Sequence, residues 1–255
     1  MRFCFSKIKL IIVLIAMGVL FPAISNANGF RFDAQVEIVS LYNFRAIDYG
    51  NSPAIQPKMQ VFYNNLEFFA WGSQALIARE MFEGERVPFN EVDWGFKYHI
   101  ETAIGKFIPA ITAYYCPFEK KKFFDLRGLD NWQKRGSQTV NLAFEYIVSP
   151  TMPIKLTVDH CFHNDPQKPI YAELGYTFTH DNYIIEPYLG VAKGLGPGGE
   201  TRQYGINNNE IGFCNLGLNI TKNIAVTDKF TLPVTSTLSI QPYTEEVWVV
   251  FKVKL

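Results

Sequence analysis

The sequence predicts an all-β fold: a single up-and-down antiparallel β-barrel of about twelve strands, with ten or fourteen strands as alternatives. Side chains alternate between apolar and polar along many short segments, which is the period of a strand. Aromatic residues make up 15% of the chain. After the first 27 residues no apolar stretch reaches the roughly 20 residues that a membrane-spanning helix needs. A chain that crosses a bilayer without such helices must pair its backbone between strands, which favours a closed transmembrane barrel.

The first 27 residues have the pattern of a secretory signal peptide. Arg2, Lys7 and Lys9 precede an apolar run over residues 10–21, and small residues precede residue 28. We therefore expect residues 1–27 to be cleaved and residues 28–255 to form the barrel; an uncleaved anchor is the alternative. Cleavage removes three cations and no acid, which leaves 21 Lys and Arg against 24 Asp and Glu. That balance suggests no nucleic-acid partner.

The clearest strands lie in residues 92–101 and in the last eleven residues, 245–255. In both segments apolar residues occupy every second position, which is typical of membrane strands with one face toward lipid. The final strand is expected to pair with the first, residues 30–45, and to close the barrel. It is also expected to be the signal for the outer-membrane barrel assembly machinery, although it ends in Leu255 where such proteins usually end in phenylalanine.

The lengths of the connections predict an orientation. Short turns are expected at residues 64–65, 102–105, 149–153 and 180–182, and longer connections at 77–90, 117–137 and 193–208. Short periplasmic turns and longer outer loops are typical of barrels in the outer membrane of Gram-negative bacteria. Residues 48–53 and 222–229 are further predicted connections, and Pro109 predicts a bulge or a strand end.

Several short motifs resemble the TorF-type family of outer-membrane porins. The pattern of that family has a tyrosine, then Trp-Arg-Gly, then Pro-Ala-x-Gln. Tyr42, Arg45 and Pro53 match it here, with Phe44 in place of the tryptophan and Ala46 in place of the glycine. Trp71, Gly72 and Ser73 resemble the tryptophan-small motif that follows. The resemblance implies an outer-membrane barrel more firmly than it implies a solute.

We expect a pore for passive diffusion of small hydrophilic solutes, with no cofactor. Its opposed acids and bases would define the constriction, and their mixed signs argue against strong ion selectivity. The predicted pore-lining residues share the inward phase of their strands: Arg31, Asp33, Glu37, Lys58, Asp93, Lys97, Glu145, Lys155, Asp159, Glu173, Glu186 and Lys252. Equally compatible with the pattern is a closed barrel whose interior is filled by ion pairs.

Other readings have weaker signals. A closed structural or adhesive barrel with ligand-binding outer loops is the second hypothesis. The third is a surface phospholipase, suggested by His160 and Ser236 on the lipid-facing phase, although we expect no enzyme and no catalytic residues. Asp159, Cys161 and His163 share a strand face, but ligands along one extended strand do not converge, so we expect no metal. Expected partners are membrane lipids and lipopolysaccharide, whose phosphates the lysines of residues 120–122 could contact; a solvated loop is the alternative.

Overall fold

The computed structural model describes residues 24–27, 29–82, 85–119, 121–128, 136–196, 204–206 and 210–255. Twelve strands, labelled β1 to β12 in chain order, form one closed antiparallel barrel in which sequential strands are neighbours. This confirms the predicted fold class and strand number. Their bounds are Phe30–Val39 (β1), Ala54–Tyr63 (β2), Leu66–Ala75 (β3), Asn90–Tyr98 (β4), Gly105–Tyr115 (β5), Gln138–Ile147 (β6), Ile154–His163 (β7), Pro169–Tyr176 (β8), Tyr183–Gly194 (β9), Gly212–Thr227 (β10), Phe230–Gln241 (β11) and Glu246–Lys254 (β12).

Shorter elements extend this wall. Ile100–Thr102 and Phe178–His180 continue the ladders of β5 and β9, and Arg79–Phe82 pairs with Glu85–Val87 in a separate hairpin. The predicted signal peptide lies mostly outside the described residues. Only the backbone of Ile24–Ala27 is described from it, and it pairs with the start of β1. Among the residues that the structure describes, no helix has the length and apolar character needed to cross a membrane.

The first and last strands close the barrel through a short ladder. Lys252 lies opposite Val39 and Lys254 opposite Glu37, and the N–H of Leu255 donates to the carbonyl of Val36 at 2.8 Å. The pairing of the last strand with the first is therefore confirmed. It covers a shorter range than the predicted 30–45, because β1 ends at Val39.

The wall has an apolar outer face and a polar inner face. In β4, Phe96 and Tyr98 are exposed whereas Glu91 and Asp93 are buried, which follows from the alternation of side chains along a strand. Three outward side chains of β12 are more than half exposed: Val247, Val249 and Phe251. The polar side chains therefore converge on the lumen, which is the candidate location of a functional site.

Two further boundaries differ from the sequence prediction. β10 continues to Thr227, which pairs with Phe230, so the turn predicted over residues 222–229 is much tighter. Pro109 forms neither a bulge nor a strand end, and it stays in β5 opposite Phe144. Instead, the ladder toward β4 is interrupted there, between Ala110 and Phe107, because proline has no N–H to donate.

Candidate functional site

Residues 40–53 leave the wall after β1 and fold into the lumen; we call this segment the lumen hairpin. It was predicted as strand to residue 45 and as a connection over residues 48–53; the first prediction is wrong, because the wall strand ends at Val39, and the connection begins earlier than predicted. Its contacts reach three separate parts of the wall, through Tyr42 to β4, Arg45 to β7 and Asn43 to β11. A segment that bonds to strands so far apart around the barrel has to lie inside it.

The tip of the lumen hairpin is a tight two-residue turn. Asn43–Phe44 pairs with Ile47–Asp48, and the two residues between them, Arg45 and Ala46, have φ angles of 56° and 60°. Two successive positive φ angles define the type I′ turn, whose twist matches that of a β-hairpin but which strains residues other than glycine and asparagine. Ala46 is the position at which the TorF-type pattern has glycine, the residue that this backbone favours.

Arg45 anchors the tip. Its Nη2 lies 2.9 Å from Oδ2 of Asp159, and its Nη1 donates to the hydroxyl of Tyr204 at 2.9 Å. The guanidinium also stacks on the ring of Tyr171, 3.9 Å from the ring centre. Burial raises the pKa of Tyr204 to about 12, so this phenol stays neutral and accepts the bond. A buried cation held by a carboxylate, a phenol and an aromatic face is well compensated.

The base of the lumen hairpin is held on the other side of the lumen. The hydroxyl of Tyr42 donates to Oε2 of Glu91 at 2.9 Å, and burial raises the pKa of this phenol, so it remains a donor. The ring packs against Tyr49, Phe89 and Trp71, with ring centres 5.2 to 5.8 Å apart. Aromatic packing and a buried hydrogen bond together fix where the hairpin enters the barrel.

The wall is shaped to receive this hairpin. A Cβ on Gly190 would lie 2.4 Å from the hydroxyl oxygen of Tyr171, so only glycine leaves room for the ring on which Arg45 stacks. Tyr171 is buried with Tyr204, Ile206, Ala192 and Cys214 in one cluster, against which Ile47 of the hairpin packs. The half of the lumen nearer the longer connections, which we call the outer half, is therefore filled by side chains.

Below the lumen hairpin, toward the short turns, the lumen is hollow. Two adjoining cavities of about 500 and 460 Å³ share a roof made by Tyr42, Phe44 and Arg45, with Trp71 beside it. We call them together the lumen chamber. Lys58 and Lys97 line one of the two cavities, Lys155 and Lys252 line the other, and acids lie in both. This is a polar space of a size that admits small solutes.

The predicted pore-lining residues fall into three groups. Lining the chamber are Glu37, Lys58, Lys97, Glu145, Lys155, Glu173 and Lys252. Two acids that reach its edge are instead buried: Asp159 is bonded to Arg45 and to Asn141, and Asp93 lies beside Glu91. Arg31, Asp33 and Glu186 lie outside the chamber; the first two form a half-exposed ion pair, and Glu186 accepts a bond from Thr177.

Most of the residues that carry the family resemblance gather around the lumen hairpin. Tyr42 and Arg45 are its two anchors, and Trp71 packs on Tyr42. Pro53 ends it, and its carbonyl accepts the N–H of Leu76. Nearby, the hydroxyl of Ser73 accepts a bond from Gln56 at 3.2 Å, and Gly72 lets the backbone of Glu91 approach, since a Cβ would lie 3.4 Å from its carbonyl. These motifs thus describe the hairpin and its seat.

Sequence reasoning missed three residues of this site. Glu91 precedes the segment in which the alternation was recognised, although it has the inward phase of Asp93. Tyr171 shares the inward phase of Glu173, but nothing in its sequence neighbourhood pointed to a cation on its face. Tyr204 lies within the predicted connection over residues 193–208 and bonds to Arg45 across 159 positions of sequence, so no local signal could have found it.

The residues weighed for hydrolysis and for metal binding do not form sites. Ser236 is on β11 and His160 on β7, with three strands between them. Cys161 donates to the carbonyl of His163, whose ring faces the carbonyl of Leu126. In the described part of the chain, no group of three or more His, Cys, Asp or Glu could hold a metal.

Comparison with known proteins adds no relative. No protein-family model matches the chain, and no curated protein matches it.

Proposed function

We propose that this chain is an outer-membrane protein of a Gram-negative bacterium, exported by a cleaved signal peptide, whose barrel lets small hydrophilic solutes diffuse passively through a lumen narrowed by the lumen hairpin. The observation that carries the proposal is the chamber of about 500 and 460 Å³ inside the wall. A barrel built only for support can fill its interior with side chains. This barrel keeps a charged space below the constriction that is large enough for small solutes.

The outer surface supports a membrane location. Large apolar side chains that would be buried in a soluble protein are exposed around the barrel, and they occupy the outward phase of the strands. Examples from successive parts of the wall are Phe68, Phe96, Leu142, Leu174, Leu216 and Phe251. Exposed apolar area this extensive marks an interaction surface, and a continuous band around a closed barrel fits lipid.

A belt of aromatic residues supports the same location. At the end of the barrel that carries the short turns, outward-facing rings follow one another around the rim: Phe30, Tyr63, Tyr98, Tyr146, Tyr176 and Tyr183. Aromatic girdles lie at the level of the lipid headgroups in outer-membrane barrels. We infer that this end faces the periplasm, and that the longer loops face lipopolysaccharide outside.

The proposal is tested with purified, refolded protein in planar lipid bilayers. We expect discrete current steps from single barrels and recovery of the native protein in the outer-membrane fraction. A barrel that resists heat unfolding and inserts fully, yet passes no current, would contradict the proposal of a pore. Recovery in the soluble periplasmic fraction would overturn the membrane location as well.

One observation favours a second candidate, a closed structural or adhesive barrel. The outer half of the lumen is filled, and loop residues such as Tyr204 and Ile206 are almost completely buried above the hairpin. If the wild-type barrel passes no current but a variant without the hairpin tip does, the lumen hairpin is a permanent plug. The exposed outer loops would then be the functional surface.

A further inference from the structure

The charges that line the lumen chamber balance formally, five cations against five acids. Sequence reasoning took such a balance as an argument against ion selectivity. What a permeating ion meets, however, depends on which charges are already compensated and which are accessible. The cations and the acids of the chamber differ in both respects.

Four of the five acids of the chamber are paired with a lysine or buried beside the hairpin, and the fifth, Glu173, is bonded only to neutral groups and keeps its charge. Glu145 lies 3.0 Å from Nζ of Lys97, and Glu37 lies 3.5 Å from Nζ of Lys252. Glu173 accepts hydrogen bonds from the hydroxyl of Tyr171 and from Nδ2 of Asn215. The two remaining acids, Asp159 and Asp93, are at most 9% exposed and lie at the outer edge of the chamber beside the hairpin.

Two of the cations have no such compensation. Within the part of the chain that the structure describes, no residue forms an ion pair or a hydrogen bond with the side chain of Lys58 or of Lys155. Both side chains are half-buried and line the chamber, Lys58 in one cavity and Lys155 in the other. A second lysine lines the same cavity in each case, Lys97 with Lys58 and Lys252 with Lys155.

We propose that the lumen chamber binds and passes small anions, such as carboxylates or inorganic anions, in preference to cations, and that Lys58 and Lys155 set this preference. The inference rests on the proposed function, since it names the class of solute that the same lumen takes. Lys58 is the residue an anion meets in one cavity and Lys155 in the other. The compensated pairs Lys97–Glu145 and Lys252–Glu37 contribute little net electrostatic field to either cavity.

The size of the effect follows from Coulomb's law. A unit charge about 6 Å from the path of an ion changes the ion's partition by about threefold even in the dielectric of water, and by more where the lumen excludes water. Ions of opposite sign are affected in opposite directions. We therefore expect each of the two lysines to change the ratio of chloride to potassium permeability by at least about threefold.

The test is the reversal potential of the refolded barrel across a KCl gradient. We expect the wild type to prefer chloride, and Lys58→Gln/Lys155→Gln to lose most of that preference while keeping its conductance steps. The matched control is Lys222→Gln/Lys229→Gln, which removes the same charge from two exposed side chains outside the chamber. A conducting wild type that prefers potassium, or equal loss in both double variants, would overturn the inference and leave the pore standing.

A second measurement separates failure of the inference from failure of the pore. Trp71 lines both cavities, so its fluorescence, with the other three tryptophans replaced by phenylalanine, reports ions inside the chamber. We expect iodide to quench Trp71 more than caesium does, relative to free indole, and the lysine double variant to lose the difference. An iodide preference without any current would contradict the pore but keep the anion site; no iodide preference would remove the site.

Discussion

The outer and inner halves of the lumen are built from the same strands but have opposite contents. In the outer half, the lumen hairpin and the loop residues above it leave Tyr171, Tyr204 and Ile206 at most 2% exposed. In the inner half, the wall encloses open cavities of about 500 and 460 Å³. The alternation of the strands is the same in both, so it decides only which side chains face inward. What fills a barrel of this size is decided by chain that leaves the sheet.

The two halves also differ in how their charges are used. Arg45 and Asp159, at 12% and 6% side-chain exposure, hold the filled half together. Lys58 and Lys155 in the hollow half bind no described residue and face the chamber. A buried ion pair stabilises only while both partners are present, whereas an unpaired half-exposed lysine is available to a solute. The first group is structural and the second is the candidate for recognition.

The largest expected effect comes from breaking the anchor of the filled half. Arg45→Ala leaves the buried carboxylate of Asp159 without its cation, which typically costs about 3–5 kcal/mol. We expect this loss in the local opening free energy of residues 40–53, measured by hydrogen exchange with mass spectrometry. Arg127→Ala, which removes a pair on an exposed loop, is the control and should leave the hairpin unchanged. If Arg45→Met/Asp159→Asn opens the hairpin as far as Arg45→Ala does, the unpaired buried charge of Asp159 is not the cause of the loss.

The next effect concerns the base of the lumen hairpin. Tyr42→Phe keeps the ring packing but removes the hydroxyl donor to Glu91, leaving a buried acceptor short of a bond at a cost of about 1–3 kcal/mol. The same exchange measurement should show faster opening of the hairpin. Tyr63→Phe, which changes a 60% exposed side chain on the outer face, serves as the control. Equal exchange in both variants would mean that the bond seen between Tyr42 and Glu91 contributes nothing.

A substitution at the turn should act in the opposite direction. Ala46→Gly removes the strain of an alanine at a φ of 60°. Even after the added flexibility of the unfolded chain is subtracted, the free energy of hairpin opening should rise by up to about 1 kcal/mol. Ala143→Gly in the regular backbone of β6 should destabilise by about 0.5–1 kcal/mol instead. Two changes of the same sign would show that the turn conformation is not the deciding factor.

The smallest effect is a pH dependence of the filled half. Burial raises the pKa of Asp48 above its ordinary value of 3.8. The folded hairpin therefore prefers the protonated acid, so its stability falls as the pH rises from 3.8 through the raised pKa, and returns on acidification. We expect fewer current openings at low pH in recordings between about pH 4 and 7. Asp48→Asn should remove that part of the dependence, and a variant with the full wild-type response would exclude Asp48 as its source.

The strands could be predicted from the sequence because their signal is local. Alternation over residues 92–101 is visible within ten positions, and it reflects only which face of the strand meets lipid. The same signal misled at residues 42–45, where apolar and polar side chains alternate again after the chain has left the wall. Nothing local marks the departure, because the partner of Arg45 is 114 positions away.

The lumen charges were only half predictable. Strand phase identified correctly that Lys58, Lys155, Glu145 and Glu173 face inward. It could not show that Glu145 pairs with Lys97, two strands away, because partners depend on register between strands and not on spacing along one. Which charges of the chamber remain unpaired follows from that pairing, so it could be inferred only from the three-dimensional structure.

The central claim is that the lumen hairpin is the boundary between the filled half and the hollow half of the lumen. It is tested most directly by the single-channel conductance of a barrel in which residues 43–48 are replaced by a short Gly-Ser linker, compared with the wild type under identical salt. We predict that this variant conducts several-fold more than the wild type, because the roof of the chamber is removed. Equal conductance in an inserted, fully folded variant would contradict the account.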